Sequence, residues 1–422
     1  MYTILINAYT CCPGMGSEQG MGWHWITGLA QYCDLHIISE GEYRPQVEAW
    51  MAQPENKEVA QRMHFYWNPV SDTVRRRCWN QGNWLFYFSY ERWQRKTERI
   101  AYEIIKGNKI DILHQLNMTG FREPGYLWRV SKKTGIPFVW GPIGGMMQYP
   151  YRYFIDGKWL VCAFFGIKYL LNKIQRQYSI RVKLALKQAS LLIAATPASV
   201  HVINHIHKYS SILIPETGCM PMTGAYPAKP KLEKKLEVIW VGKFDYRKRL
   251  DIALNAIAQT NNNNIHLSVY GKGNPQQERE SRLLIENLGL INRVHLMGQC
   301  SNEEVNIAMK HADLMLFTSV CEETSTVVLE AISNHLPVVC FNECGMAVVV
   351  DDTVGRAISF SNPKQSYSDF ARELDYFYEH RDALQKCAEG CVQRAQELSW
   401  DNKIKKLIDL YDQKIGKYNS KS

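Results

Sequence analysis

Short apolar runs alternate with longer mixed segments along the whole chain. In the first half the runs are residues 2–8, 35–39, 63–67, 111–114, 137–140 and 190–195. In the second half they are residues 236–241, 265–270, 294–297, 314–318 and 338–341. Each has the length of a buried strand, and most lack the polar alternation of a sheet with one wet face. Residues 23–32, 41–60, 251–259, 303–312 and 365–398 between them read as helices. Strands that alternate with helices predict parallel sheets of α/β class. At 422 residues, two such domains are expected. The boundaries expected are 1–213 and 214–398, with a terminal amphipathic helix over 399–422. Residues 225–237, rich in Pro and Lys, read as an exposed loop near the boundary.

Residues 314–341 are the most legible stretch. An apolar run ends at Thr318, a polar loop follows, and Ser325 or Thr326 can cap a helix that runs to about Asn334. Pro337 then admits the strand 338–341. Ligands of such βαβ units bind at the carboxyl ends of the strands. Glu322 lies on the loop and Glu330 on the helix, spaced Glu-x7-Glu. The helix start offers free amides to a phosphate, and the carboxylate behind it can accept from sugar hydroxyls. Lys243, Arg247, Lys248 and Arg249 crowd the turn after strand 236–241, which suits an anion. Gly271 and Gly273 follow strand 265–270, where backbone can pass under a ribose or phosphate.

The first strand runs into a loop with Gly14, Gly16, Gly20 and Gly22. Such a loop lets backbone approach a bulky ligand, but it is not Gly-x-Gly-x-x-Gly, which disfavours a nicotinamide cofactor. His114 ends its run and faces the loop that follows, a position for an acid, a base or a hydrogen-bond partner. Gly144 and Gly145 close a tight turn after strand 137–140.

Charge divides the chain. Residues 1–235 hold 29 Lys and Arg against 16 Asp and Glu, a net of +13, and the remainder has a net of −4. Arg and Lys interleave with Trp, Phe and Tyr over 74–105 and 151–187. That mixture suits an anionic membrane surface, while no nucleic-acid module is recognisable. No segment reaches the roughly 18 apolar residues of a membrane span. The N-terminus lacks a basic leader region, so residues 2–8 are expected to be a first strand. The 12 cysteines, without framework spacing, fit a reducing compartment, and neither Cys-x3-Cys pair has a neighbouring pair to complete a zinc site. A cytoplasmic protein is expected, peripheral on the inner face of the plasma membrane if the basic half docks there.

VIWVGKFDYRKRLDIAL at 238–254, LSVYGKGN at 267–274, VHLMGQCSNEEV at 294–305 and EETSTVVLEAISNHLPVV at 322–339 resemble the family-4 retaining glycosyltransferases, also described as glycosyl transferases group 1. The glycine loop and Gly-Pro-Ile-Gly-Gly at 141–145 resemble one branch of it. The resemblance implies a GT-B fold: two Rossmann-like domains, a deep interdomain cleft and a C-terminal crossover helix returning to the first domain. It implies a metal-independent transfer that retains configuration, with no cofactor and a nucleotide-diphosphate sugar as donor. The acceptor would be a glycan or lipid-linked sugar of cell-surface polysaccharide or lipopolysaccharide synthesis. Carried over residue by residue, His114 and Glu322 would be catalytic. Gly16, Lys243, Lys248, Gly271, Gln299, Thr324, Ser325, Thr326 and Glu330 would bind the donor. Glu18, Asn117, Gly144 and Gly145 would bind the acceptor. Arg249 stands where the family commonly has Gly. A nucleotide-sugar epimerase and an inactive binding or scaffold protein of the same fold are the alternatives.

Overall fold

The computed structural model describes residues 1–79, 83–154, 159–220 and 235–416. Most of the 225–237 loop and the end of the terminal segment, 417–422, lie outside the described residues. The chain forms two compact units. The first gathers residues 1–147, 172–216 and the segment from Trp400 onward, and the second gathers 148–171 and 217–399. Residues 148–171, which the sequence reading left with the first domain, thus cluster with the second.

The first unit is built on seven strands: β1 Thr3–Ala8, β2 Asp34–Ser39, β3 Met63–Trp67, β4 Ile112–Asn117, β5 Phe138–Ile143, β6 Leu191–Ala194 and β7 Ile212–Leu213. They are all parallel, in the order β3-β2-β1-β4-β5-β6-β7. β1, β4 and β5 are buried on both faces, so the polar Asn7 of β1 and His114, Gln115 and Asn117 of β4 are buried among apolar neighbours. The helix Trp400–Tyr411 buries Trp400, Ile404, Leu407, Leu410 and Tyr411 in the core that covers β1. Gly28 sits opposite Ile404, and a Cβ there would come within 2.6 Å of it.

The second unit has six strands: β8 Leu236–Val241, β9 Ile265–Tyr270, β10 Val294–Gly298, β11 Leu314–Phe317, β12 Val338–Phe341 and β13 Gly355–Ile358. Their order is β10-β9-β8-β11-β12-β13, again parallel. In both sheets the order reverses beside the first strand, as in a Rossmann fold.

Several limits differ from the sequence reading. The stretch 41–60, read as one helix, is the helices Arg44–Met51 and Lys57–Ala60 joined by a 3-10 turn at Pro54–Asn56. The first helix spans Ser17–Ala30 and so takes in Gly20 and Gly22, placed above in a loop. A Cβ on Gly20 would meet Met15 O at 1.8 Å, and one on Gly22 would meet Thr10 O at 2.4 Å, so both glycines serve tight packing. β4 continues to Asn117, which puts His114 inside a strand and not at its end. The helical stretch 365–398 is two helices, Pro363–Glu379 and Arg381–Glu397, broken at His380.

Candidate functional site

In the second unit the strand order reverses between β8 and β11, the switch point where such sheets bind ligands. The carboxyl ends of β8, β9 and β10, with one face of the helix Thr326–Ser333, enclose a cavity of about 540 Å³. Lys243, Gly271, Lys272, Gln299, Val327 and Glu330 are among its walls. Glu330 is half-buried, and burial pushes its carboxyl above the ordinary carboxylate value. Among the described residues its carboxylate has no hydrogen-bond or ion-pair partner. An unpartnered, partly desolvated acceptor on a cavity wall is suited to ligand hydroxyls.

Gly271 makes the floor. Its φ is +134°, and its N–H donates to Gly298 O at 2.7 Å. A Cβ there would lie 1.8 Å from Gly242 O, so only glycine lets the ends of β8 and β9 close this tightly.

Beside the cavity, Lys248 Nζ lies 2.7 Å from Glu322 Oε1, both side chains being largely buried. Ser319 Oγ donates to the same carboxylate at 3.0 Å. Thr318 Oγ1 holds the backbone of this turn by donating to Lys248 O or Arg249 O, each at 2.9 Å. Arg249 takes the left-handed conformation, φ 50°, that a glycine would adopt freely. Its guanidinium is anchored on Asp251 at 2.7 and 2.8 Å and on Tyr153 O. Thr324 and Ser325 are buried at the start of the helix Thr326–Ser333, where Ser325 makes no side-chain cap. Val328 N–H already donates to Ser325 O at 3.1 Å, so among the described residues the amides of Thr326 and Val327 are the ones left for an anion. Gly345 lies against them, its N–H donating to Glu323 O at 2.7 Å.

In the first unit, Glu18 opens the first helix. Its Oε1 accepts from Thr119 Oγ1 at 3.0 Å, while Oε2 is shielded from solvent and unpartnered. Burial raises its pKa, and the Thr119 bonds oppose that. Asn117 Nδ2 donates to Thr10 O at 2.8 Å, which ties β4 to the glycine loop. Gly144 is knit to the neighbouring loop, its N–H donating to Thr119 O at 2.8 Å, and Gly145 follows with φ +74°. Gly16 has open space where a Cβ would be.

His114 is not placed as the sequence suggested. It is fully buried, Nε2 faces Gly141 O at 2.8 Å, and Nδ1 faces Tyr411 Oη at 2.9 Å. A carbonyl only accepts, so Nε2 carries the proton and Nδ1 accepts from Tyr411. Burial lowers its pKa to about 4. The ring is a neutral strut with no nitrogen left for a substrate.

The expected donor residues Lys243, Gly271, Gln299 and Glu330 thus share one cavity, Lys248 pairs with Glu322, and Thr324 to Thr326 form the adjacent helix start. Glu18, Asn117, Gly144 and Gly145 gather around the loop at 119–120, and Gly16 precedes Glu18 on the first helix. Sequence reading missed Lys272, a second cation on the cavity, although it stands between the two glycines already singled out. It also missed Thr119, which no motif marks.

The model of the family described as Glycosyl transferases group 1 matches residues 225–394. A D-inositol 3-phosphate glycosyltransferase of Salinispora tropica is 25% identical over 198 residues, covering 45% of this chain and 40% of the relative. The lipopolysaccharide glucosyltransferase WaaG of Escherichia coli K12 is 32% identical over 123 residues, covering 28% of this chain and 32% of the relative. The chain therefore matches less than half the length of either. Among solved structures, Anabaena Alr3699/HepE in complex with UDP superposes with a TM-score of 0.61 at 15% identity, over 98% of this chain and 100% of that one. Two Rossmann-like parallel sheets and this likeness make the fold GT-B.

Proposed function

We propose that this chain, whose residues 225–394 match the glycosyl transferases group 1 model and whose fold is GT-B, is a retaining, metal-independent glycosyltransferase. It moves a sugar from a nucleotide-diphosphate sugar to a glycan or lipid-linked acceptor of cell-surface polysaccharide or lipopolysaccharide synthesis. The observation that carries the reading is the cavity that joins Lys243, Lys272 and Gln299 to the unpartnered carboxylate of Glu330. Its volume of about 540 Å³ is within the ordinary range of small-molecule sites. UDP in the HepE complex and the name of the lipopolysaccharide glucosyltransferase WaaG support the donor and acceptor classes.

In this reading Glu330 accepts from the ribose hydroxyls and Gln299 meets the base. Lys243, Lys248 and the amides of the helix Thr326–Ser333 neutralise the diphosphate as it leaves, the electrostatic work that dominates such transfers. The bond from the sugar's anomeric carbon to phosphate oxygen breaks as the bond to the acceptor oxygen forms on the same face. The acceptor proton passes to the departing phosphate. Glu322 lies by the transferred sugar, and its pairing with Lys248 holds both side chains in place before the donor arrives. Glu18, with one free carboxylate oxygen, and the Gly144-Gly145 turn offer acceptor contacts. His114 has no part, since both its nitrogens are engaged.

The test is nucleotide release from a panel of UDP-, GDP- and ADP-sugars with a membrane-glycolipid extract as acceptor. Release with one donor and incorporation of its sugar supports the reading. A protein that binds nucleotide but releases none from any donor is an epimerase or a binding protein, and the proposal fails.

A further inference from the structure

The helix Trp159–Tyr178 carries its apolar residues on the outside. Leu160, Phe164, Ile167, Leu171, Ile174 and Tyr178 are 46% to 62% exposed, and their spacing of four and three puts them in one line along the helix. Trp159, at the start of the same helix, is 75% exposed. The opposite side holds the helix to the protein. Phe165 stacks on Phe154 at 4.0 Å, Asn172 Nδ2 donates to Met147 O at 2.7 Å, and Arg176 donates to Met146 O at 3.2 Å. One aromatic stack and two polar side chains thus anchor the helix while a line of apolar side chains faces water, unlike an ordinary surface helix. An apolar strip of this length on a soluble surface marks a docking face.

Charge selects the occupant. Residues 159–188 contain six Lys and Arg and no Asp or Glu. Lys173, Lys183 and Lys187 are exposed. A second copy laid against this face would oppose cations to cations with no acid in the segment to answer them, which disfavours self-association. An anionic surface with an apolar layer beneath meets both features. No helix among the described residues is long and apolar enough to cross a membrane, so this one would lie in the interface plane. We propose that the exposed face of the helix Trp159–Tyr178 seats in the headgroup region of an anionic lipid bilayer. The apolar line enters the acyl boundary, while Lys173 on the same helix, Lys183, whose Nζ lies 5.5 Å from the centre of the Tyr178 ring, and Lys187 on the next helix supply cations for the lipid phosphates. Such docking holds the chain at the surface where a lipid-linked substrate would be found, but it rests on this face alone and not on the donor reading.

Flotation of the full chain with vesicles of phosphatidylcholine, with and without phosphatidylglycerol, tests it. The protein floats with phosphatidylglycerol vesicles, and rising salt weakens the binding. Ile167→Ser/Leu171→Ser/Ile174→Ser changes only exposed side chains, so the thermal melt is kept while binding falls at least about tenfold. Lys173→Gln/Lys183→Gln/Lys187→Gln weakens binding about a hundredfold. The proposal is overturned if the wild type stays at the bottom with both vesicles, or floats equally with both. It is also overturned if the triple Ser variant floats like the wild type, or if sedimentation velocity shows a dimer that this variant dissolves.

Discussion

Tyr411 Oη donates to His114 Nδ1 across 2.9 Å, joining residues 297 positions apart. The helix that supplies Tyr411 completes the hydrogen bonding of a histidine in the middle of β4. Tyr411→Phe keeps the ring but leaves Nδ1 buried without a donor. A loss of roughly 1–3 kcal/mol in stability is expected, read as a lower denaturant midpoint at unchanged slope. An unaltered midpoint would show that the bond contributes nothing.

The same histidine gives a pH dependence. Its pKa is lowered from 6.5 to about 4 in the folded protein, so the unfolded chain binds the extra proton between these values. The stability this contributes is fully present above pH 6.5 and is lost as pH falls towards 4. The amount is about 3 kcal/mol. Glu123 acts in the opposite sense, since burial raises its pKa to about 7 although Arg181 lies 3.1 Å away and opposes that rise. The difference between wild type and His114→Gln isolates the histidine. Urea unfolding from pH 7 to pH 4 should show the steeper fall in the wild type.

Glu330→Gln should weaken nucleotide binding by roughly 1–3 kcal/mol, the scale for hydrogen bonds to a charged group. Because the carboxylate is partly desolvated and has no protein partner among the described residues, the melting temperature should hold or rise. Calorimetric titration with nucleoside diphosphates measures the first and a thermal scan the second. Intact affinity in a folded variant removes Glu330 from the donor site.

Lys248 and Glu322 predict opposite signs. Lys243→Ala/Lys248→Ala should cost far more affinity for a nucleoside diphosphate than for the nucleoside. Glu322→Gln frees Lys248 from its 2.7 Å partner, so diphosphate affinity should rise severalfold while sugar transfer falls. Loss of both in Glu322→Gln would mean that the pair is only a strut.

Two glycines with positive φ separate backbone strain from packing. Gly289→Ala meets nothing within 4 Å and pays only for its φ of +66°, about 1 kcal/mol. Gly271→Ala would place its Cβ 1.8 Å from Gly242 O, so it should lose several kcal/mol and nucleotide binding with it. Equal effects of the two changes would deny the close approach.

Local physics made much of this legible in the sequence. β11, the helix Thr326–Ser333 and β12 lie within a residue of their expected limits, because apolar runs, a cap position and Pro337 act over a few residues. The same holds for the cations after β8 and the glycine after β9, since turns are written where they occur. The tertiary structure alone decided which distant groups meet. The cavity draws on turns that follow three strands and on a helix some 90 residues beyond the first of them. His114 reads as a free base until Tyr411 and Gly141 take its two nitrogens. The apolar line on the helix Trp159–Tyr178 has the same period whether it faces core or water. Periodicity records that a helix has two unlike sides, and only the packing around it decides which one is left outside.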